Sequence, residues 1–317
     1  MTPLTEILRA EIRDSGPIPF SRFMDAALYH PEHGYYRRRR EVFGKHGDFF
    51  TASQLQPVFG ILIAAGIRAL RREMGDPEDF TVVELGAGRG EMAAALSEFR
   101  YVPVDLGRGA LPKTLRGVVF SNEFFDALPV DAIVMRQGVP RQMLVGWNGE
   151  RFTWIEGDLA GDAVQRYLRD FFPPLEEGQI VEVSFDALAW LDRIAASLES
   201  GFVFTIDYGY TRAELRRFPR GTLMSYRQHR SDDAVLLDPG GRDITAHVCF
   251  PALEEYGAQH GLNVIRRETL ARTLLDAGRP DEFAAALAGG QQHAQQLKTL
   301  LFSMGETFIT LLQRKIR

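Results

Sequence analysis

The apolar positions fall first at helical spacing and later at strand spacing. Leu4, Ile7, Leu8 and Ile12 recur every three or four residues and predict a helix over 4–13, closed by Gly16 and Pro17. Ser21 to Tyr29 predicts a second short helix, stopped by Pro31 and Gly34. Leu55 to Glu73 predicts a long one, with Ser53 and Gln56 at the spacing of a capping box. Asp76 to Asp79 is polar and reads as a linker, after which the pattern changes. Thr81 to Leu85 is a continuous apolar, β-branched run, as expected for a buried parallel strand. Glu91 to Phe99 predicts a helix, Tyr101 to Asp105 a second strand and Val118 to Phe120 a third. Asn148-Gly149 between two apolar runs predicts a hairpin, with Trp147 and Trp154 as a cross-strand pair. Strands over Gln179–Ser184 and Phe202–Gly209 follow, with helices over Ala187–Leu198 and Pro251–His260. Ala284 to Gln296 reads as a helix with a weak point at Gly289-Gly290, and Leu297 to Leu312 fits both periods. Strands alternating with helices predict an α/β fold built on a parallel sheet.

The first strong strand breaks into Gly86, Gly88 and Gly90. A strand that ends in glycines and opens the next element lets a ligand lie on bare backbone. The spacing is not that of the dinucleotide fingerprint, because Glu91 stands where its third glycine belongs. Glu84-Leu-Gly-x-Gly-x-Gly90 instead resembles motif I of the Rossmann-like S-adenosylmethionine (SAM) methyltransferases. The bland alternative is a tight turn that binds nothing. Asp105 ends the second strand, where an acid can accept both ribose hydroxyls; it equally suits a turn before Gly107. Asn122 and Glu123 end the third strand, where ligands bind in an open parallel sheet, and Asp126 lies three residues on. They are candidates for substrate contact, or for a plain cap. Asp207-Tyr208-Gly209 ends a further strand.

Composition narrows the classes. The 317 residues suffice for one large α/β domain with additions, or two domains, and 45% hydrophobic content supports an ordinary core. A formal charge of −5 argues against a general nucleic-acid binder. Four arginines, Arg37 to Arg40, read as a solvated surface or as a basic rim for an acidic partner. The single cysteine, Cys249, precludes an intramolecular disulfide and any cysteine-built metal cage, and fits a reducing compartment. The N-terminal residues lack a signal-peptide core and the longest apolar run, Val58 to Ile67, is too short to span a bilayer. A cytoplasmic, bacterial-type protein with no bound metal is expected.

A wider set of motifs carries a closer resemblance. Gly16-Pro-Ile, Tyr29-x-Pro-x-x-Gly-Tyr-Tyr36, Gly47-Asp-Phe-x-Thr-Ala52, Val83-Glu-Leu-Gly-x-Gly-x-Gly90, Asn122-Glu-Phe-Phe-Asp-Ala-Leu-Pro-Val130, Ile206-Asp-Tyr-Gly209, Gly221-Thr-Leu-Met224 and Asp243-Ile-Thr-Ala-His-Val248 occur in this order. Together they resemble the MidA-like SAM-dependent methyltransferases over nearly the whole chain. That resemblance implies a Rossmann-like class I fold: an N-terminal helical extension over 1–75, a methyltransferase domain over 76–317, a hairpin insertion near 140–160 and a family-specific region near 210–260. It implies SAM as cofactor, held by Glu84, Gly86, Gly88, Gly90, Asp105, Asn122, Gly47, Asp48 and Thr51. It also implies a protein substrate, an arginine in the mitochondrial members, which support assembly of respiratory complex I. Glu123 is then the candidate catalytic carboxylate, with Asp126 and Asp207 as helpers and His247 as proton acceptor. Two departures stand out. Ala52-Ser53-Gln54 lacks a carboxylate usual in the family, and Cys249 replaces an expected Asp or Asn. A SAM-binding assembly factor without turnover, a small-molecule methyltransferase and a nicotinamide-dependent oxidoreductase remain as alternatives.

Overall fold

The computed structural model describes residues 2–37, 52, 55–227 and 230–316. The chain forms two compact units: Met1–Phe50, Asp126–Leu188 and Tyr210–Ala252 make the first, and Thr51–Phe125, Ala189–Gly209 and Leu253–Arg317 the second. It is thus threaded three times into each, a division of a different kind from the one expected at residue 75.

In the first unit the helix Pro3–Ser15 is started by Thr2, whose Oγ1 accepts from the Thr5 amide at 3.2 Å, with Pro3 in the first turn. Leu4, Leu8 and Ile12 of the predicted apolar face are buried, whereas Ile7, also assigned to it, is 39% exposed. A second helix, Phe20–Tyr29, follows, and both contribute to a core with Val130, Ala132, Val145 and Phe152. Ala132, Val145 and Phe152 belong to an antiparallel sheet ordered Ile18–Pro19, Val139–Trp147, Asp131–Arg136, Ile180–Val183, with Phe152–Leu159 also paired to Val139–Trp147. The hairpin is present, but Trp147 and Trp154 are not partners. Trp147 faces Phe152 and Trp154 faces Val145, because Asn148 to Arg151 close a loop longer than a two-residue turn. Trp147 packs edge-on to Phe152 and Trp154 against Phe20.

The second unit carries the parallel sheet. Its strands are β1 (Thr81–Leu85), β2 (Arg100–Val104), β3 (Leu115–Asn122), β4 (Leu198–Tyr210), β5 (Asn263–Thr269) and β6 (Phe308–Lys315). They lie in the order β5-β6-β4-β3-β1-β2. The pairs β1·β2, β1·β3 and β3·β4 are parallel; β6 runs antiparallel to both β4 and β5. Val82, Val118, Phe120, Phe202, Phe204 and Ile206 build the core with Leu62, Ile63 and Ile67 of the helix Val58–Glu73. That helix starts later than predicted: Ser53 lies outside the described residues, and Gln56 donates to Met92 Sδ rather than completing a cap.

Two sequence ambiguities resolve here. Residues 297–312 fit both periods because they hold both structures, the end of the helix Gln291–Phe302 and the start of β6. The weak point at Gly289-Gly290 separates the helix Pro280–Leu287 from Gln291–Phe302, with Gly290 at φ +67°. The expected helix over Glu91–Phe99 is instead a succession of turns, in which i→i+3 bonds such as Ala93 N to Gly90 O and Phe99 N to Leu96 O outnumber the single i→i+4 bond of Leu96. Met92, Leu96 and Phe99 are buried all the same, so the apolar spacing reports burial and not helix. No helix among the described residues is long and apolar enough to cross a membrane.

Gly117 of β3 and Gly201 of β4 face each other across the sheet at φ +148° and +137°. A Cβ at Gly117 would fall on the Thr81 carbonyl oxygen, and one at Gly201 on that of Gly117. Both atoms are ladder backbone and cannot move aside. Gly117→Ala is therefore expected to cost about 3 kcal/mol or more, read as a lowered urea midpoint; an unchanged midpoint would contradict this geometry.

Candidate functional site

The candidate site is built at the C-terminal ends of β1, β3 and β4. Leu85 is in register with Ser121, and Ser121 with Thr205. The next residues, Gly86, Asn122 and Ile206, therefore lie at one level on three neighbouring strand lines about 4.8 Å apart, just past the end of β1, at the last residue of β3 and within β4, which runs on to Tyr210.

The glycine loop is held open by its backbone. Gly86, Gly88 and Gly90 sit at φ +67°, +51° and +86°, a region that L side chains rarely enter. The Gly86 and Ala87 amides donate to Val104 O at 2.9 and 3.3 Å. Asp105 Oδ2 accepts from the Gly88 amide at 2.5 Å, and Asp105 Oδ1 from Leu106 N at 2.6 Å. Arg108 reaches back to donate to Gly88 O at 3.1 Å. The acid expected to take the ribose thus grips the loop itself. A Cβ on Gly86 would stand 3.0 Å from the Phe124 ring, which packs edge-on to Trp190.

Glu84 lies beneath the loop at 4% exposure, and the Tyr101 hydroxyl donates to it. Burial raises its pKa to about 7; the Tyr101 hydrogen bond opposes the rise, Glu91 and Asp105 add to it and Arg108 subtracts. The same pairing, with burial first, pushes the Tyr101 phenol up. Nothing in the sequence pattern signalled Tyr101 or Arg108; each is set by the return of β2 alongside the loop.

Glu123 is half-buried and sits at φ +51°, in the left-handed region. Its Oε1 accepts from the Ala52 amide and from Asn122 Nδ2, both at 3.0 Å. Asn122 is 8% exposed, and its Oδ1 has no donor among the described residues. Asp207 is fully buried and accepts from the amides of Phe124, Phe125 and Tyr208. The structure therefore brings Glu84, the three glycines, Asp105, Asn122, Glu123 and Asp207 onto one unit.

Asp126 and His247 belong to the first unit. Ala246 N donates to Asp126 O at 2.9 Å, tying the two segments together. The His247 amide donates to Thr222 Oγ1, whose hydroxyl and amide both bind the buried Glu182 carboxylate. Burial raises the Glu182 pKa against those hydrogen bonds, and lowers that of His247 to about 4. The imidazole, edge-on to Phe218, is thus neutral near pH 7 and a weak base. Gly47, Asp48 and Thr51 lie outside the described residues.

An unpaired buried amide oxygen, backbone that only glycine can adopt and a cluster of carboxylates suit a ligand with a cationic centre and a sugar diol. Comparison with known proteins agrees. Residues 109–267 match the model of an S-adenosyl-L-methionine-dependent methyltransferase family. A COG1565 superfamily member from Burkholderia thailandensis, solved with S-adenosylhomocysteine bound, is 29% identical with a TM-score of 0.87, covering 98% of this chain and 92% of its own. Another structure from that superfamily and organism is 30% identical, with a TM-score of 0.84 over 98% and 91%. Among curated proteins, the Drosophila melanogaster homolog of the mitochondrial protein arginine methyltransferase NDUFAF7 is 27% identical, covering 81% of this chain and 70% of its own length. The human NDUFAF7 is 25% identical over 86% and 74%.

Glu84 links the site to stability. Its folded-state pKa of about 7 exceeds the ordinary 4.5, so the native state keeps a proton that the unfolded chain releases between those values. Stability then falls as pH rises through that window, by about 3 kcal/mol at most. Glu84→Gln keeps an acceptor for Tyr101 and removes the titration. Its melting temperature is expected to exceed wild type at pH 8 and to match it near pH 4.5; parallel curves would contradict the buried neutral carboxyl.

Proposed function

The chain belongs to the MidA-like family of SAM-dependent methyltransferases, and from that premise we propose that its methyl acceptor is the side chain of a protein arginine. The observation that carries the reading is the Glu123 carboxylate. It stands at the end of β3, one strand from the glycine loop, with its orientation fixed by Asn122 and the Ala52 amide. The relatives from fly and human are named protein arginine methyltransferases.

The protein is an enzyme of methyl transfer. Bound SAM supplies an electrophilic methyl group on a sulfonium. The loop at Gly86, Gly88 and Gly90 would lie along the cofactor, Asp105 would exchange the Gly88 amide for the ribose hydroxyls, and Asn122 Oδ1 would accept from the cofactor's ammonium. A guanidinium is a cation and a poor nucleophile. A carboxylate paired to it fixes the plane of the group and draws positive charge away from the attacking nitrogen. Glu123 would do this, and alignment for in-line displacement supplies much of the rate. The nitrogen that gains the methyl must lose a proton. His247 stays an unassigned candidate for that step, its low pKa suiting only transient protonation.

We extend the reading to a respiratory-complex subunit as the acceptor, on the family resemblance, and to the cytoplasm as the setting, on the single buried thiol. The purified protein and labelled SAM, incubated with lysate from cells lacking this protein and followed by mass spectrometry of the labelled band, test the acceptor. Methylarginine on a protein supports the reading; label only in small molecules, or none, overturns it. Glu123→Gln is expected to keep SAM affinity within about threefold and to lose about 100-fold in rate; full activity removes the role of Glu123. Asp105→Ala is expected to weaken SAM binding about tenfold or more by calorimetry, and unchanged affinity would remove its place at the ribose.

A further inference from the structure

We propose that Asp207 is a positioning residue whose buried carboxylate, acting through the backbone amides of Phe124 and Phe125, fixes the strained turn that presents Glu123. This role rests on the guanidinium-pairing role proposed for Glu123.

Three consecutive amides leave the end of β3 without ladder partners from β1. Each finds an acceptor at the end of β4. The Glu123 amide donates to Ile206 O at 3.0 Å. Those of Phe124 and Phe125 donate to one oxygen, Asp207 Oδ2, at 3.2 and 3.0 Å. The second oxygen, Oδ1, accepts from Tyr208 N at 2.9 Å and so fixes the rotation of the carboxylate about its own strand. Asp207 is 0% exposed. A charge so placed is retained because it is hydrogen-bonded, and amide donors to an ionised acceptor are stronger than neutral pairs.

What the grip holds is the unusual feature. Glu123 has φ +51°, where a residue with a Cβ is strained by about 1 kcal/mol or more. Such strain persists only where the surroundings over-determine the backbone. Here the amide of Glu123 and the two after it are all tied to residues 206–207. Released from those ties, the turn would relax toward negative φ and swing the Glu123 side chain away from Ala52 and Asn122. Glu123 would remain in the protein with its direction lost. In this account Asp207 acts through its three backbone amide partners and not by contact with cofactor or acceptor. The expectation that it helps in catalysis directly is thereby replaced by action through Glu123.

A double-mutant cycle tests the coupling. The rate is initial methyl incorporation from labelled SAM into lysate from cells lacking this protein, with SAM affinity by calorimetry and melting temperature beside it. Asp207→Asn keeps the size and one acceptor oxygen but sets an amide group against a backbone donor. In the otherwise wild-type chain it is expected to lower the rate about tenfold while SAM affinity stays within about threefold. In the Glu123→Gln background the same change is expected to alter the rate less than about twofold, because the positioned group is already gone. A merely structural role predicts equal losses in both backgrounds, so additive losses overturn this inference and leave the role of Glu123 standing. Full activity of Glu123→Gln overturns both. If Asp207→Asn does not fold, Asp207→Ser, whose hydroxyl still accepts one amide, carries the same cycle.

Discussion

The site depends on one constraint: parallel strands that end at the same level must dispose of the amides that leave the ladder. Leu85 and Ser121 are the last matched pair of β1 and β3, and Asn122 and Ile206 that of β3 and β4. Beyond them the chain turns, and backbone donors would be buried without acceptors. Two aspartates solve most of this. Asp105 takes the amides of Gly88 and Leu106, and Asp207 those of Phe124, Phe125 and Tyr208. A hydrogen bond to a charged acceptor contributes about 1.5–3 kcal/mol net, against a total stability of about 5–15 kcal/mol. The same residues that shape the site therefore hold the sheet edge together, and stability and function cannot be varied separately there.

The carboxylates also make an electrostatic demand. Glu84, Glu91 and Asp105 gather around the glycine loop, and Arg108 is the cation that offsets them. Burial, with Glu91 and Asp105 adding to it, raises the Glu84 pKa to about 7, so the carboxyl is partly protonated near neutral pH. A cofactor with a sulfonium and an ammonium supplies the missing positive charge and favours the ionised cluster. Transfer of the methyl group leaves a neutral thioether and removes the sulfonium part of that attraction, which weakens the hold on product relative to donor. The charge pattern thus suits a donor that loses a positive charge in the reaction.

Much of this was legible in the chain, for identifiable reasons. The glycine loop and the acids at 105, 123 and 207 follow from the location of ligand sites at strand C-termini in parallel sheets, so locating the strands located the candidates. What could not be read is set by register or by return contacts. The two tryptophans looked like partners because Asn148-Gly149 suggests a two-residue turn. The Asn148 side chain instead accepts from the amides of Glu150 and Arg151, lengthens the loop and pairs Trp147 with Phe152. The turns over 91–99 kept a helix-like spacing because burial alone demands Met92, Leu96 and Phe99 on one side. The interleaving of two units leaves no local mark, since the crossings at 125–126, 188–189, 209–210 and 252–253 fall inside an ordinary loop, helix or strand.

The distinction between Glu123 and Asp207 shows where residue type stops informing chemistry. Both are carboxylates at the ends of adjacent parallel strands, and each follows an apolar run, so pattern alone makes them equivalent. Glu123 is half-buried and one of its oxygens is held by an amide from a distant segment; Asp207 is enclosed and spends both oxygens on backbone. In the proposed reading a carboxylate engaged by three backbone amides serves as support, whereas one oriented from behind through Oε1 meets the guanidinium with a fixed direction. The longer side chain would, in that reading, reach the ligand, and the shorter one, a single methylene from its own strand, would hold the neighbouring turn. Side-chain length at matched strand ends therefore divides the labour between contact and support.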